Sequence, residues 1–125
     1  VEIAGTRVFK QEMVQCDTGT AFQVKNLFFN VPARRRFLKS DNVEKSHILT
    51  EFYRIALVNS NVAFALFDGD DEMFQLPASN NKVRIENIFG KNAKKRWQQQ
   101  LLTIDISTNL VSINGYVGKT EFAQK

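Results

Sequence analysis

The 125-residue sequence predicts an α+β fold with mostly antiparallel sheet pairing, and three observations predict it. Two pairs of β-favouring runs, "NVAFALF" with "EMFQL" and "LLTIDIS" with "LVSINGYVG", are each joined by a short turn. Apolar residues at helical spacing lie before and between them. A third pair of loosely alternating segments opens the chain around the turn residues Asp17, Thr18 and Gly19.

The opening pair consists of Arg7 to Asp17, with Val8, Met13 and Val14 among polar positions, and of "TAFQVKNLF". In the second member Phe22, Val24 and Leu27 alternate with Gln23 and Lys25, the pattern of a half-buried strand. Pro32 suits the first helical position, where its missing N–H leaves no bond unmade, so a short helix is expected through "PARRRFLK". Its cap falls to Asn30 or Val31, and only Asn30 has a side chain that could serve.

After "SDN" a longer helix is expected from about Val43 to Val58, with Ile48, Leu49, Phe52, Ile55 and Ala56 as its inward stripe. At about 100° per residue, His47 and Arg54 share its opposite, solvated face. Asp68-Gly69 marks the tight turn of the next hairpin, and Pro77 ends it. A helix over Asn80 to Phe89 would bury Val83, Ile85, Ile88 and Phe89 and stop at Gly90, and "KNAKKRWQQQ" could add another turn. The closing hairpin turns at Thr108-Asn109.

Composition narrows the function. With 43% hydrophobic and 24% charged residues the chain has globular composition, and no apolar run nears the roughly 18 residues that span a bilayer. The start, "VEIAGTRVFK", shows neither a signal-peptide pattern nor an initiating Met, so the chain is expected to be a piece of something longer. A lone Cys16 forms no internal disulfide and lacks an activating cation in sequence, which fits a reducing setting and an inert thiol. A lone His47 has no triad partner and disfavours zinc. Asp68, Asp70, Asp71 and Glu72 read as a solvated turn. "GKNAKK" and "GYVGKT" lack the spacing and following helix of a phosphate loop.

The basic residues carry more. The net charge is +4, yet Arg34, Arg35, Arg36, Lys39 and Lys45 against Asp41 and Glu44 give +3 locally. Lys82, Arg84, Lys91, Lys94, Lys95 and Arg96 against Glu86 give +5, beside Trp97. Segregated cations displace counterions from a phosphate backbone with little sequence preference.

The stretch "GTAFQVKNLFFNVPARRRFLK" resembles the fourth motif of the MutL family of DNA mismatch-repair ATPases, G-T-x-V-x-V-x-x-L-F-x-N-x-P-A-R-[RK]-x-F-L. The likeness continues through "HILTEFYRIALVNSNVAFAL", has a bacterial flavour, and departs at Phe22 for Val and at Val31 for a capping Thr. It implies the last strands of a GHKL ATPase domain over residues 1–40. Residues 41–125 would then begin a two-layer α/β, gyrase-like transducer domain. It further implies that Gly19 and Thr20 border the nucleotide, with the Thr hydroxyl near adenine, that Arg35, Arg36, Lys39 and Arg54 face DNA, and that Arg34 is structural.

The intact parent would use ATP and Mg, dimerise, contact DNA and the mismatch-recognition protein MutS, couple recognition to strand incision, and reside in the cytoplasm at the nucleoid. The family's D-x-G-x-G, lid and "NVHPxKxEV" are absent from this sequence, so the chain itself is expected neither to hydrolyse ATP nor to hold cofactor. A non-enzymatic nucleic-acid-binding module using Trp97 for stacking, or a purely structural domain, are the alternatives.

Overall fold

The structure, a computed structural model, describes residues 1–90 and 101–120. It is α+β, with three small antiparallel hairpins and three helices among the described residues. Contacts divide the chain into two units, Val1–Glu44 and Lys45–Lys125. No helix among the described residues is long and apolar enough to cross a membrane.

In the first unit β1 (Glu2–Ala4) pairs with β2 (Arg7–Lys10), Ile3 opposite Val8 and Ala4 opposite Arg7. The turn needs Gly5: its φ of 63° is left-handed, and a Cβ there would lie 3.2 Å from Asn30 Nδ2. The expected strand pair around Asp17–Gly19 does not form, since residues 11–25 hold no strand. Alternation gives a segment a face but not a neighbour, and without ladder bonds to a partner strand it stays irregular. Phe22 is 91% exposed and Val24 and Leu27 are exposed too, so the expected inward face is not buried.

Two linked turns follow, in which the Phe29 amide donates to the Asn26 carbonyl at 2.9 Å and the Val31 amide to the Phe28 carbonyl at 3.0 Å. They lead into α1 (Pro32–Arg35), with Pro in its first turn and no side-chain cap at Val31. The helix stops four residues short of the expected Lys39. The Phe37 and Leu38 amides donate three residues back, to Arg34 and Arg35, so the ladder tightens and ends.

α2 (Asp41–Val58) starts two residues before the expected Val43. Its opening is fixed by the Ser40 carbonyl, which accepts from Val43 and Glu44 at 2.8 and 3.1 Å, and by Glu44 Oε1, which accepts from the Lys39 amide at 2.9 Å. Asp41 and Glu44 in the first turn also suit the positive end of the helix dipole.

The second unit holds the core. β3 (Phe64–Asp68) and β4 (Asp71–Leu76) form the expected hairpin, with Gly69 at φ 62° in the turn and a register shift between Leu66 and Phe67. α3 (Asn81–Phe89) is capped by Asn80, whose Oδ1 accepts from the Val83 amide at 2.9 Å. Ala56, Phe74, Leu76 and Ile88 are buried, surrounded by Leu49, Phe52, Tyr53, Leu57, Phe64, Leu66 and Met73. Aromatic rings bind the layers: Phe74 lies 5.5 Å from Phe52 and 5.6 Å, edge-on, from Tyr53.

The inward stripe of α2 is therefore Leu49, Phe52, Tyr53, Ala56 and Leu57, while Ile48 and Ile55 are exposed, contrary to expectation. On α3, Val83 and Phe89 are partly exposed and Arg84 takes the buried place. β5 (Leu101–Ser107) and β6 (Ser112–Gly118) form the closing hairpin. The Thr108 amide and hydroxyl both donate to the Val111 carbonyl, at 2.8 and 3.0 Å, closing its turn.

Candidate nucleic-acid interface

The basic residues of the sequence meet four different fates. Arg84 is fully buried. Its Nη2 donates to the backbone carbonyls of Ser60 (2.8 Å), Val62 (2.5 Å) and Pro77 (3.1 Å), and its guanidinium carbon lies 5.5 Å from the Phe64 ring centroid. Desolvation holds its pKa below the usual arginine value. This removes Arg84 from the second basic cluster: it fastens the turn after α2 to the end of β4 and touches no solvent. Lys91, Lys94, Lys95, Arg96 and Trp97 lie outside the described residues.

Lys45 Nζ and Asp68 Oδ2 are 2.7 Å apart, an ion pair between α2 and the β3–β4 turn. Arg54 Nη1 and Glu51 Oε1 are 2.6 Å apart along the exposed face of α2. Exposed pairs of this kind are cheaply broken, so Arg54 can still exchange its carboxylate for a phosphate. His47 is exposed, as expected for that face.

In the first unit, Arg34 has its guanidinium carbon 5.9 Å from the Phe28 ring centroid. Arg35, Arg36 and Lys39 are exposed, and among the described residues their side chains enter no ion pair. Glu44, the nearest acidic group by sequence apart from Asp41, spends one oxygen on the Lys39 amide. Phe37 is 85% exposed, while Leu38 and Phe28 are half-buried. The arrangement presents unneutralised cations on a short turn, which is what contact with successive backbone phosphates asks for.

Gly19 and Thr20 lie on an exposed bend, and a Cβ at Gly19 would meet nothing within 4 Å. One free hydroxyl beside an unobstructed glycine suits the edge of a base; the pair offers no cation for phosphate. Among the described residues no group of three or more His, Cys, Asp or Glu is placed to hold a metal ion. Cys16 is exposed, and "GYVGKT" begins on β6 rather than cradling an anion.

Sequence reasoning missed two residues. The ring of Phe28 under Arg34 had a signal in the six-residue spacing across the turn, but only the left-handed backbone at Phe28 brings them together. Arg84 had a signal as well, since it stands four residues before the core residue Ile88, on the same helix face.

No family model matches the chain. Over 123 residues, 98% of its length, the chain is 50% identical to DNA mismatch repair protein MutL of Bacteroides fragilis and 51% identical to that of Phocaeicola vulgatus. It covers 19% of each, so it spans about a fifth of the curated relatives it matches. Among solved structures it is similar to the Aquifex aeolicus MutL ATPase domain complexed with ADP, with a TM-score of 0.54 and 32% identity over 66% of this chain and 31% of that one.

Proposed function

Because the chain belongs along its whole length to the MutL family of DNA mismatch repair proteins, we propose that it serves DNA mismatch repair as a DNA-contacting part of such a protein. In this reading residues 1–40 are the C-terminal edge of the ATPase domain and residues 41–125 the first part of the transducer domain. Arg35, Arg36, Lys39 and Arg54 contact backbone phosphates. Gly19 and Thr20 border the adenine of a nucleotide whose binding would dimerise the intact protein. The dimer, with a mismatch-recognition partner, couples recognition to strand incision.

One observation carries the reading: the family motif from Gly19 to Leu38 includes Arg35 and Arg36, which are exposed and free of ion pairs among the described residues. The relative solved with ADP supports nucleotide use by the intact protein. Thr20 would position the base through its hydroxyl, which can donate to a ring nitrogen and accept from an amino group.

The test is fluorescence anisotropy of duplex DNA with the full chain across a salt series. If Arg35, Arg36, Lys39 and Arg54 each neutralise one phosphate, the slope of log K against log salt is about −3.6. Arg35→Glu with Arg36→Glu should bring it to about −1.8, with little dependence on DNA sequence. An unchanged slope in that variant would remove these arginines from the interface.

A further inference from the structure

We infer that Arg34 is a positioning residue, which holds the turn presenting Arg35 and Arg36 by lying over the ring of Phe28 rather than by touching phosphate itself. Phe28 has φ 60°, a left-handed conformation that a bulky side chain adopts only where its surroundings hold it. Asn26, two residues earlier, is left-handed as well, at φ 49°. The two residues are the acceptors of the linked turns, their carbonyls receiving the Phe29 and Val31 amides.

This strained double turn hands directly on to a helix of four residues that has no side-chain cap and buries no residue. Among the described residues no side-chain hydrogen bond or ion pair joins α1 to the rest of the chain. Phe37 is exposed, while Phe28 is half-buried. The guanidinium of Arg34 at 5.9 Å from the Phe28 centroid is therefore the side-chain tie between the turn before Pro32 and the last turn of α1. Arg34 and Arg35 also sit at the helix C-terminus, where cations are favoured, so the tie does not work against the local field.

The chemistry divides the three adjacent arginines by role. Arg34 gives its charge to a ring, and Arg35 and Arg36 keep theirs for a polyanion. The DNA half of this inference rests on the reading above; the tie itself does not. Both halves can be measured on the full chain with Phe28→Leu, Arg34→Gln, the double variant, and Phe28→Tyr, which keeps the ring.

Limited trypsin digestion followed by mass spectrometry reads the tie without DNA. First cuts after Arg35 and Arg36, referred to the cut after exposed Lys10, should speed up about two- to fivefold in Phe28→Leu and return to the parent rate in Phe28→Tyr. Arg34→Gln should match Phe28→Leu, and the double variant should be no faster than either. DNA affinity should fall by the same factor in the same variants and recover in Phe28→Tyr.

An affinity loss in Arg34→Gln with none in Phe28→Leu would make Arg34 a direct phosphate contact and overturn the proposal. Unchanged cutting in both single variants would overturn it too. If the full chain binds no DNA while cutting still responds to both variants and to the Tyr rescue, the tie stands and the DNA reading falls.

Discussion

Replacing Arg84 should destabilise the second unit, and by an amount that depends on what replaces it. The side chain is fully buried, and its Nη2 serves three carbonyls. The Ser60 carbonyl keeps another donor, the Ser79 amide at 2.9 Å. For Val62 and Pro77 the guanidinium is the donor in hand, and each part-buried carbonyl left without one costs about 1 kcal/mol. The contact with the Phe64 ring adds about 1 kcal/mol, and packing of the aliphatic stem about 1 to 2 kcal/mol. Against this, Nε and Nη1 are buried without a hydrogen-bond partner, and their removal returns about 1 kcal/mol each.

Arg84→Ala should therefore cost about 2 to 3 kcal/mol, and Arg84→Met, which keeps the stem, about 1 kcal/mol. The assay is urea denaturation of the full chain followed by far-UV circular dichroism. Burial depresses the pKa of Arg84, so the folded state disfavours its proton and stability rises only as pH climbs through that folded value toward the unfolded one. Below that folded value the side chain stays charged and the cost of either variant should not change with pH. An Arg84→Met variant more stable than the parent would show that the buried charge is a net burden and would refute the reasoning.

Two further outcomes follow from local geometry. Asn80→Ala removes the acceptor for the Val83 amide and should cost about 1 kcal/mol in the same titration; a loss under a few tenths would mean water caps α3 equally well. Lys45→Ala breaks a 2.7 Å pair whose side chains are both substantially exposed, so its cost should stay below about 0.5 kcal/mol and shrink further in high salt.

Three of the hairpin and helix assignments were legible because they depend on near neighbours. Gly69 can take a φ of 62° at no steric cost, so the β3–β4 turn shows in two residues. Asn80 caps α3 within its own first turn. Thr108 closes the last turn by bonding three residues ahead. What was not legible depends on partners distant in sequence. Phe22 and Val24 alternate like a strand, but strand formation is decided by a neighbouring strand that the local pattern does not name. The β1–β2 turn did carry a signal, Gly5 between Ala4 and Arg7, whose left-handed φ of 63° glycine takes without strain.

α2 shows a different ambiguity. Ile48 and Ile55 are apolar and so are Leu49, Tyr53 and Leu57, so periodicity allows two inward faces about one residue apart. Packing settles it through the rings of Phe52, Tyr53, Phe64 and Phe74, which meet at 5.5 to 6.3 Å on one side only.

The candidate site was legible as a motif but not as a set of roles, because net charge counts every cation alike. A charge available to DNA must be exposed and unspent, and the structure removes cations from the count for separate physical reasons. Arg84 is buried against carbonyls, Lys45 is neutralised by Asp68, and Arg34 is turned onto a ring. Arg54 is available only in competition with Glu51. Of the first basic cluster Arg35, Arg36 and Lys39 remain, close together in sequence, beside a turn that holds two left-handed residues. A steep salt dependence from so few residues would arise from their having no acidic partner among the described residues, since a phosphate then replaces solvent counterions rather than a carboxylate.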